Sequence, residues 1–431
     1  MGVIVAAMRR WLGLCGVLLI APAAQASPAE QFGFGPRSQA MSGAGPAVAR
    51  GFSATYENPA LLARMHHREL TLGFQAVRFS LRAQGPNAPG RLSEEGVSGS
   101  FIGAVLPLPF GGILEDRLTL GLGTFTPNDL IARARLLYPE RLQFPLLTDR
   151  AQTLNFNMGL GVDLGHGIQI GGGALALAEL VGTVVVRTDS SGRVGTTVDD
   201  QLIATYAPIV GVAVDLGTTD LGLTWRGALE GDFDVVVQVY DLGSLTVPDL
   251  NISGVAQYDP MQLQAEVAQE VGDFTVVGGA TWSHWSAFEG WRKATVECPP
   301  TQPDCAALKA QPVSFHDIVV PRIGGMYGWS LSDSAHAELR AGYAFAKSPL
   351  GPQTGPSNYF DNDRHVLSVG YGVELAEPLP PITVDAFYQL HLLAPRTHEK
   401  RADVPADNLG APQVKSSGTV QNAGVFLGVK F

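Results

Sequence analysis

The stretch Leu154-Asn-Phe-Asn-Met-Gly-Leu-Gly-Val-Asp-Leu164 carries two patterns at once. Its even positions are Leu, Phe, Met, Leu, Val and Leu, and its odd positions are Asn155, Asn157, Gly159, Gly161 and Asp163. A period of two puts each set on its own face of a β-strand. A strand that crosses a bilayer needs about 9–11 residues, apolar toward lipid and small or polar toward a lumen. This stretch has that length and that division.

The pattern recurs at 335–345, 367–375, 382–392 and 421–431. In the last of these, Ala423, Val425, Leu427, Val429 and Phe431 alternate with Asn422, Gly424, Phe426, Gly428 and Lys430. A secreted sandwich would alternate too, so strand length and loop rhythm have to decide. Fourteen strands are expected, at 69–82, 97–108, 117–126, 151–164, 168–187, 201–216, 220–231, 261–271, 274–285, 316–328, 335–346, 364–375, 382–393 and 420–431. Short turns such as Gly165-His-Gly167 and Gly272-Asp273 alternate with long loops near 127–150, 232–260, 286–315 and 394–419. Short turns on one side and long loops on the other are the form of an outer-membrane barrel, and an even count returns both ends to the periplasmic side. The fold class is therefore all-β, a 14-stranded antiparallel transmembrane barrel.

Composition agrees. Charged residues are 16% of the 431, against about 25% in an average soluble domain. Glycine supplies 51 positions. A net charge of −11 without a basic cluster gives no footprint for nucleic acid. After residue 26 no run of about 20 apolar residues exists to span a membrane as a helix. Before it, Arg9 and Arg10, the apolar run 11–20 and Ala24-Gln25-Ala26 read as an export signal cleaved after Ala26. Export to an oxidising compartment makes Cys298 and Cys305 a disulfide closing a small loop. A metal site is the weaker reading, since no further Cys or His pair stands at zinc spacing.

Residues 27–68 do not alternate. Gln31-Phe-Gly-Phe-Gly35, Met41-Ser-Gly-Ala-Gly45 and Glu57-Asn-Pro-Ala-Leu-Leu62 are turns and small-residue stretches that also carry Phe32, Phe34, Phe52, Tyr56 and Leu61. Those side chains would be exposed in a periplasmic linker, so a plug inside the barrel is favoured. Here the chain resembles the FadL/TodX family of outer-membrane long-chain fatty acid and hydrocarbon transporters. The matching residues are Ala40-Met-Ser-Gly-Ala-Gly45 with Tyr56-Glu-Asn-Pro-Ala-Leu61, Trp282-Ser-His-Trp-Ser-Ala-Phe288, and Ser348-Pro349 with Asp361-Asn-Asp-Arg364. With the fourteen strands, the resemblance covers the whole mature chain.

The resemblance implies three parts: a signal peptide at 1–26, an N-terminal hatch at 27–68 and a barrel at 69–431. It also implies passive uptake of long-chain fatty acids or related hydrophobic compounds. An apolar ligand is caught among outer loops and held in the lumen, the hatch rearranges, and the ligand leaves sideways through a gap at a kink in the third strand. Asn58, Pro59 and Ala60 take the hatch-anchoring role. Gly121 and Gly123 are the glycines of the third strand; as residues alone they are equally the small lumen-facing positions of an ordinary barrel strand. A carboxylate in an apolar pocket must be paired, and Arg226, Arg340 and Arg364 are the candidate cations, each also available for lumen salt bridges. Leu136, Leu137, Tyr138 and Phe144 are candidates for outer capture, the rival reading being a loop packed on its neighbours. Arg133, Arg135 and Arg141 beside them could attract a carboxylate or lipopolysaccharide phosphates.

No cofactor or metal is implied, and the expected partners are a hydrophobic small molecule and outer-membrane lipid, with the barrel a monomer. An enzyme is disfavoured, because no Gly-x-Ser-x-Gly is present and the histidines are scattered. A general porin and a surface receptor or adhesin are the alternatives.

Overall fold

The structure is a computed structural model and describes residues 28–128, 137, 139–151, 154–188, 194–240, 250–291, 313–376 and 380–431. Residues 1–26, read above as an export signal, and Cys298, Cys305, Leu136 and Tyr138 lie outside the described residues.

Fourteen strands form the wall. They are β1 Glu69–Gln84, β2 Val97–Pro107, β3 Leu118–Pro127, β4 Asn155–Gly165, β5 Ile168–Thr188, β6 Val194–Asp215 and β7 Thr219–Arg226. The second half comprises β8 Gln262–Val271, β9 Phe274–Ser283, β10 Ile318–Ser332, β11 Ala335–Ala346, β12 Arg364–Leu375, β13 Ile382–Glu399 and β14 Gln413–Lys430. Each pairs antiparallel with its chain neighbour, and β14 closes on β1 from Glu69↔Lys430 to Gln84↔Lys415. Three further strands, Gly90–Arg91, Leu229–Tyr240 and Leu250–Asp259, belong to the outer loops.

The burial pattern is inside out relative to a soluble protein. Leu70, Leu72, Phe74, Ile102, Phe156, Met158, Val210, Leu263, Ile323, Leu367 and Leu427 are exposed. On the opposite faces Gln75, Asn157, Gln264, Glu266, Gln389 and Asn422 are buried. Only an apolar solvent outside makes that division favourable, since exposed apolar area costs about 25 cal/mol per Å² in water. At the turn between β4 and β5, Gly165, His166 and Gly167 all take positive φ. Two of the three are glycine, which meets no steric penalty there.

The expected strands are all present, but four boundaries differ by five residues or more. The seventh, expected at 220–231, stops at Arg226, and the segment read as the loop 232–260 forms the hairpin Leu229–Tyr240 with Leu250–Asp259. The sixth begins at Val194 rather than 201, and β13 and β14 continue to Glu399 and from Gln413. Alternation marks where a strand can pair, and pairing does not stop at the edge of the lipid.

The N-terminal segment folds inside this wall. It contains α1 Pro28–Phe32, α2 Pro36–Ala40, a 3₁₀ turn Gly51–Ser53, α3 Ala54–Glu57 and a 3₁₀ helix Pro59–Arg64. None of these has the length to be stable alone; they hold because Phe32, Phe34, Met41, Phe52, Leu61 and Leu62 are fully buried against the barrel interior.

Candidate functional site

Asn58 is the pin of the N-terminal segment. Its Nδ2 donates to Pro46 O at 2.7 Å and to Val212 O of β6 at 3.0 Å, and its Oδ1 accepts from Ala60 N at 3.1 Å. It caps the 3₁₀ helix that Pro59 opens, a position proline favours because its missing N–H is not needed there. The wall makes room in a specific way. A Cβ on Gly211 would strike Asn58 Oδ1, and one on Gly171 of β5 would strike the Pro59–Ala60 backbone. Thus Asn58, Pro59 and Ala60 meet β5 and β6 at backbone distance.

Glu57, one residue earlier, ties the segment to itself and to β7. Its carboxylate accepts from Phe34 N at 2.9 Å and lies 3.7 Å from the Arg226 guanidinium. The Cβ that Gly45 lacks would meet this carboxylate at 2.5 Å. The two halves of the sequence motif, Met41–Gly45 and Tyr56–Leu61, are therefore one physical unit. Burial pushes the Glu57 carboxyl above its ordinary value, while Arg226 pulls it back. Glu266 of β8 completes the seat by accepting from Gly45 N and Ala47 N at 3.2 and 2.9 Å.

The three candidate cations separate clearly. Arg226 is buried and committed: it donates to Tyr56 O at 3.0 Å, Gln262 at 2.9 Å and Gln264 at 3.0 Å, with its guanidinium 4.3 Å from the Tyr56 ring. Arg340 lies below the segment, paired with Glu338 and with Asp385. These partners take up most of the donor capacity of both side chains. Arg364 differs. It lines the cavity above the segment, and its Nε and Nη1 have no hydrogen-bond partner among the described residues.

That cavity measures about 70 Å³ and is bordered by α1, Arg226, Trp285, Arg322, Arg364 and His391. Sites for drug-sized ligands run about 300–1,000 Å³, so this cavity has no room for a long-chain compound while the segment is so seated. A larger one of about 360 Å³ borders Ala47, Val48, Leu61 and Met65. Over the smaller cavity, Arg150 is held between Glu30 at 2.8 Å and Asp259 at 2.5 Å, and it faces the Trp285 ring at 5.0 Å.

The outer loops form a packed cap. Leu137 and Leu146 join Tyr258, Trp285, Phe288, Trp291, Phe315 and Tyr359, and Phe144 packs edge-on against Phe360 at 5.6 Å. Leu137 and Phe144 are thus buried rather than displayed, which corrects the reading of an exposed capture patch; Leu146 reaches the cavity. The motif residues Trp285 and Phe288 belong to this cap. Ser348 and Asp363 form a knot, with Ser348 N donating to Asp363 at 2.9 Å and Arg396 bonding Asp363 at 3.0 Å.

Beside the segment an apolar region runs toward the wall. Phe34, Phe52, Tyr56, Phe101, Phe125, Leu175, Ala207, Ile209 and Leu229 pack together. Gly121 and Gly123 face this region and seat residues of the N-terminal segment: a Cβ on Gly121 would meet Leu62 at 2.6 Å and Thr55 at 2.7 Å, and one on Gly123 would meet Phe34 at 2.8 Å. β3 keeps unbroken register with β2 and β4 across both glycines.

A shorter ladder stands between β6 and β7. β6 pairs with β7 only from Ile209 to Asp215, and the last link is Gly227 N to Pro208 O at 2.9 Å. From there the chain turns inward, burying Leu229, and Asp234–Tyr240 pairs parallel to Val181–Arg187 of β5. Above Pro208 the β7-facing edge of β6 has no ladder partner among the described residues. Proline is tolerated at such an edge because no donor is required.

Sequence reasoning missed the roles of Glu57, which stands inside the quoted motif, of Glu266, whose only signal is charge at lumen phase, and of the Arg150 clasp, which lies in a loop. It also missed Asn155 and Asn157 as site residues, both fully buried with no side-chain hydrogen-bond partner among the described residues.

Comparison with known proteins follows the same outline. The chain is 26% identical over 370 residues to alkane uptake protein A of Marinobacter nauticus, covering 80% of this chain and 79% of that protein. The crystal structure of a Pseudomonas aeruginosa FadL homologue superposes with a TM-score of 0.56 at 14% identity, covering 95% of this chain and 98% of that one. The Pseudomonas putida toluene transporter TodX gives 0.52 at 15% identity, covering 93% and 99%. At those identities the structures speak for the fold. The match to the family described as Outer membrane protein transport protein (OMPP1/FadL/TodX) runs over residues 17–431, and the chain belongs to that family.

Proposed function

We propose that this outer-membrane barrel takes up long-chain apolar compounds, alkanes foremost, down their gradient, with residues 27–68 acting as a hatch. The observation that carries the reading is the apolar region from Phe34 to Leu229, which leads from the hatch to the point, at Ile209, where the β6–β7 ladder ends among the described residues. An apolar solute gains nothing by release into water; a route that ends at lipid suits it better than an aqueous pore. The small cavity supports a closed state, from which the hatch must shift before a chain can pass. In this reading the sideways exit lies between β6 and β7, at the inward turn after Arg226. The alkane choice rests on the Marinobacter relative and on the commitment of Arg226 and Arg340 to protein partners.

A second reading, a fatty acid as cargo, is favoured by one observation: the free donors of Arg364 face the cavity. Uptake of labelled hexadecane, oleate and xylene by transport-deficient cells expressing the wild type, Asn58→Ala and Arg364→Gln at matched surface abundance separates the two. Hexadecane uptake lost in Asn58→Ala and kept in Arg364→Gln is the expected result. Oleate uptake abolished by Arg364→Gln moves the assignment to fatty acids, and no uptake of any compound by a folded barrel counts against transport.

A further inference from the structure

Strand β1 changes character on its outward face. Leu70, Leu72, Phe74 and Ala76 are exposed and apolar; the next exposed large side chains on the same phase are Arg78 and Arg82. Pairing brings two more cations to this face. Arg91 stands directly opposite Arg82, and Lys415 of β14 stands opposite Gln84, two positions from Arg82. All four are exposed, and none makes an ion pair or a side-chain hydrogen bond among the described residues. Two arginines directly opposite each other on one face destabilise a ladder unless an anion lies between them.

Their height is set by the strand. At about 3.4 Å per residue and a tilt near 40°, Arg78 stands about 20 Å and Arg82 about 30 Å above Leu70 along the membrane normal. The apolar band of such barrels is about 25 Å tall. Arg82, Arg91 and Lys415 therefore lie at the level of outer-leaflet headgroups, with Arg78 just beneath. Guanidinium groups bind phosphate oxygens in pairs, and a lipid whose tails run down past Phe74 and Leu72 would bring its phosphates to this height.

We propose that Arg78, Arg82, Arg91 and Lys415 form a binding site on the outer wall for a phosphorylated glycolipid of the outer leaflet, the phosphate lying between Arg82 and Arg91. The site faces away from the lumen and does not depend on what the barrel carries.

The test uses the purified full chain in detergent, titrated with bisphosphorylated lipid A, with lipid A stripped of both phosphates, and with inorganic phosphate. Wild type and Arg82→Gln/Arg91→Gln are compared, with Arg68→Gln as an exposed cation elsewhere. At about five-fold per cation, the double variant should bind bisphosphorylated lipid A about 25-fold more weakly, while Arg68→Gln binds as wild type. The stripped lipid should bind weakly, free phosphate should not compete at millimolar concentration, and added salt should weaken wild-type binding. Retention of compact migration in unheated SDS establishes that the variant is folded; if it is not, Lys415→Gln alone should still lose about five-fold. Equal binding by variant and wild type, or equal binding of the stripped lipid, overturns the site. Displacement of the lipid by free phosphate reduces it to an anion site.

Discussion

The two halves of the N-terminal segment share two kinds of hold in different proportion. Both cover wall glycines, residues 28–47 with Met41 on Gly342 and Pro46 on Gly222, and both are gripped by wall side chains, residues 51–64 through Thr224 to Glu57 O and Arg226 to Tyr56 O. Residues 51–64 lie against backbone: Phe52 covers Gly103, Leu62 covers Gly121, Pro59 and Ala60 cover Gly171, and Asn58 covers Gly211. Residues 28–47 are gripped through their own backbone by wall side chains. Gln389 donates to Phe32 O and Gln39 O, Gln264 to Gly43 O and Ser368 to Ala40 O, while Glu266 takes the N–H groups of Gly45 and Ala47. The glycine seats, which dominate at residues 51–64, depend on shape and tolerate no added atom. The backbone grip, which dominates at residues 28–47, depends on charge and hydrogen bonds and tolerates changes in the segment's side chains. Glu57 and Asn58 join the halves, through Phe34 N and Pro46 O.

The largest expected effect comes from removing that junction. Glu57→Ala leaves Arg226 without its buried counter-charge and Phe34 N–H without an acceptor, a loss of about 3–5 kcal/mol on the scale of broken buried pairs. The segment should become cleavable by added protease while the barrel keeps its resistance to unheated SDS. A protected segment would show that the charged half contributes less than its geometry suggests.

Next is the pair Asn58 and Gly211. Asn58→Ala removes the hydrogen bonds to Pro46 O, Val212 O and Ala60 N, costing about 1–3 kcal/mol. Gly211→Ala drives a methyl into Asn58 Oδ1, costing about 1–3 kcal/mol by overpacking. The double variant should be milder than the sum, since the clash disappears with the amide. Strict additivity in a thermal melt would separate the two residues and weaken the contrast between the halves.

The smallest effect is on pH. The raised Glu57 carboxyl binds a proton in the native state more readily than in the unfolded chain. Its contribution therefore makes stability fall as pH rises from the ordinary carboxylate value through the raised one, and that slope is absent below both. Glu57→Gln should flatten this part of the melting profile, and Gly211→Ala should leave it intact. Identical profiles for wild type and Glu57→Gln would contradict the assignment.

The outward face was legible because lipid imposes a strict period of two, as Leu154 to Leu164 illustrates. The inward face was less so. Whether Gly121 or Gly211 is merely small or is a seat depends on what packs on it, and that partner comes from more than fifty residues earlier in the chain. The stop of β7 at Arg226 escaped notice because Leu229–Tyr240 continues the same β-forming composition, while its pairing moves from β6 to β5. Arg340 and Arg226 share the phase of Arg364, and only their neighbours distinguish them. Asn58 was readable through its motif; the reason Gly45 accompanies it, the Glu57 carboxylate, was not.

The central claim is that the segment must move for cargo to pass. A Cβ on Gly324 of β10 would lie 3.2 Å from the Met41 Cβ, close to the about 3.5–4.5 Å a disulfide spans. Met41→Cys with Gly324→Cys thus staples the segment to the wall as it stands. Uptake of labelled hexadecane should be lost in oxidised cells and return on reduction. Full uptake with the staple closed would contradict the account.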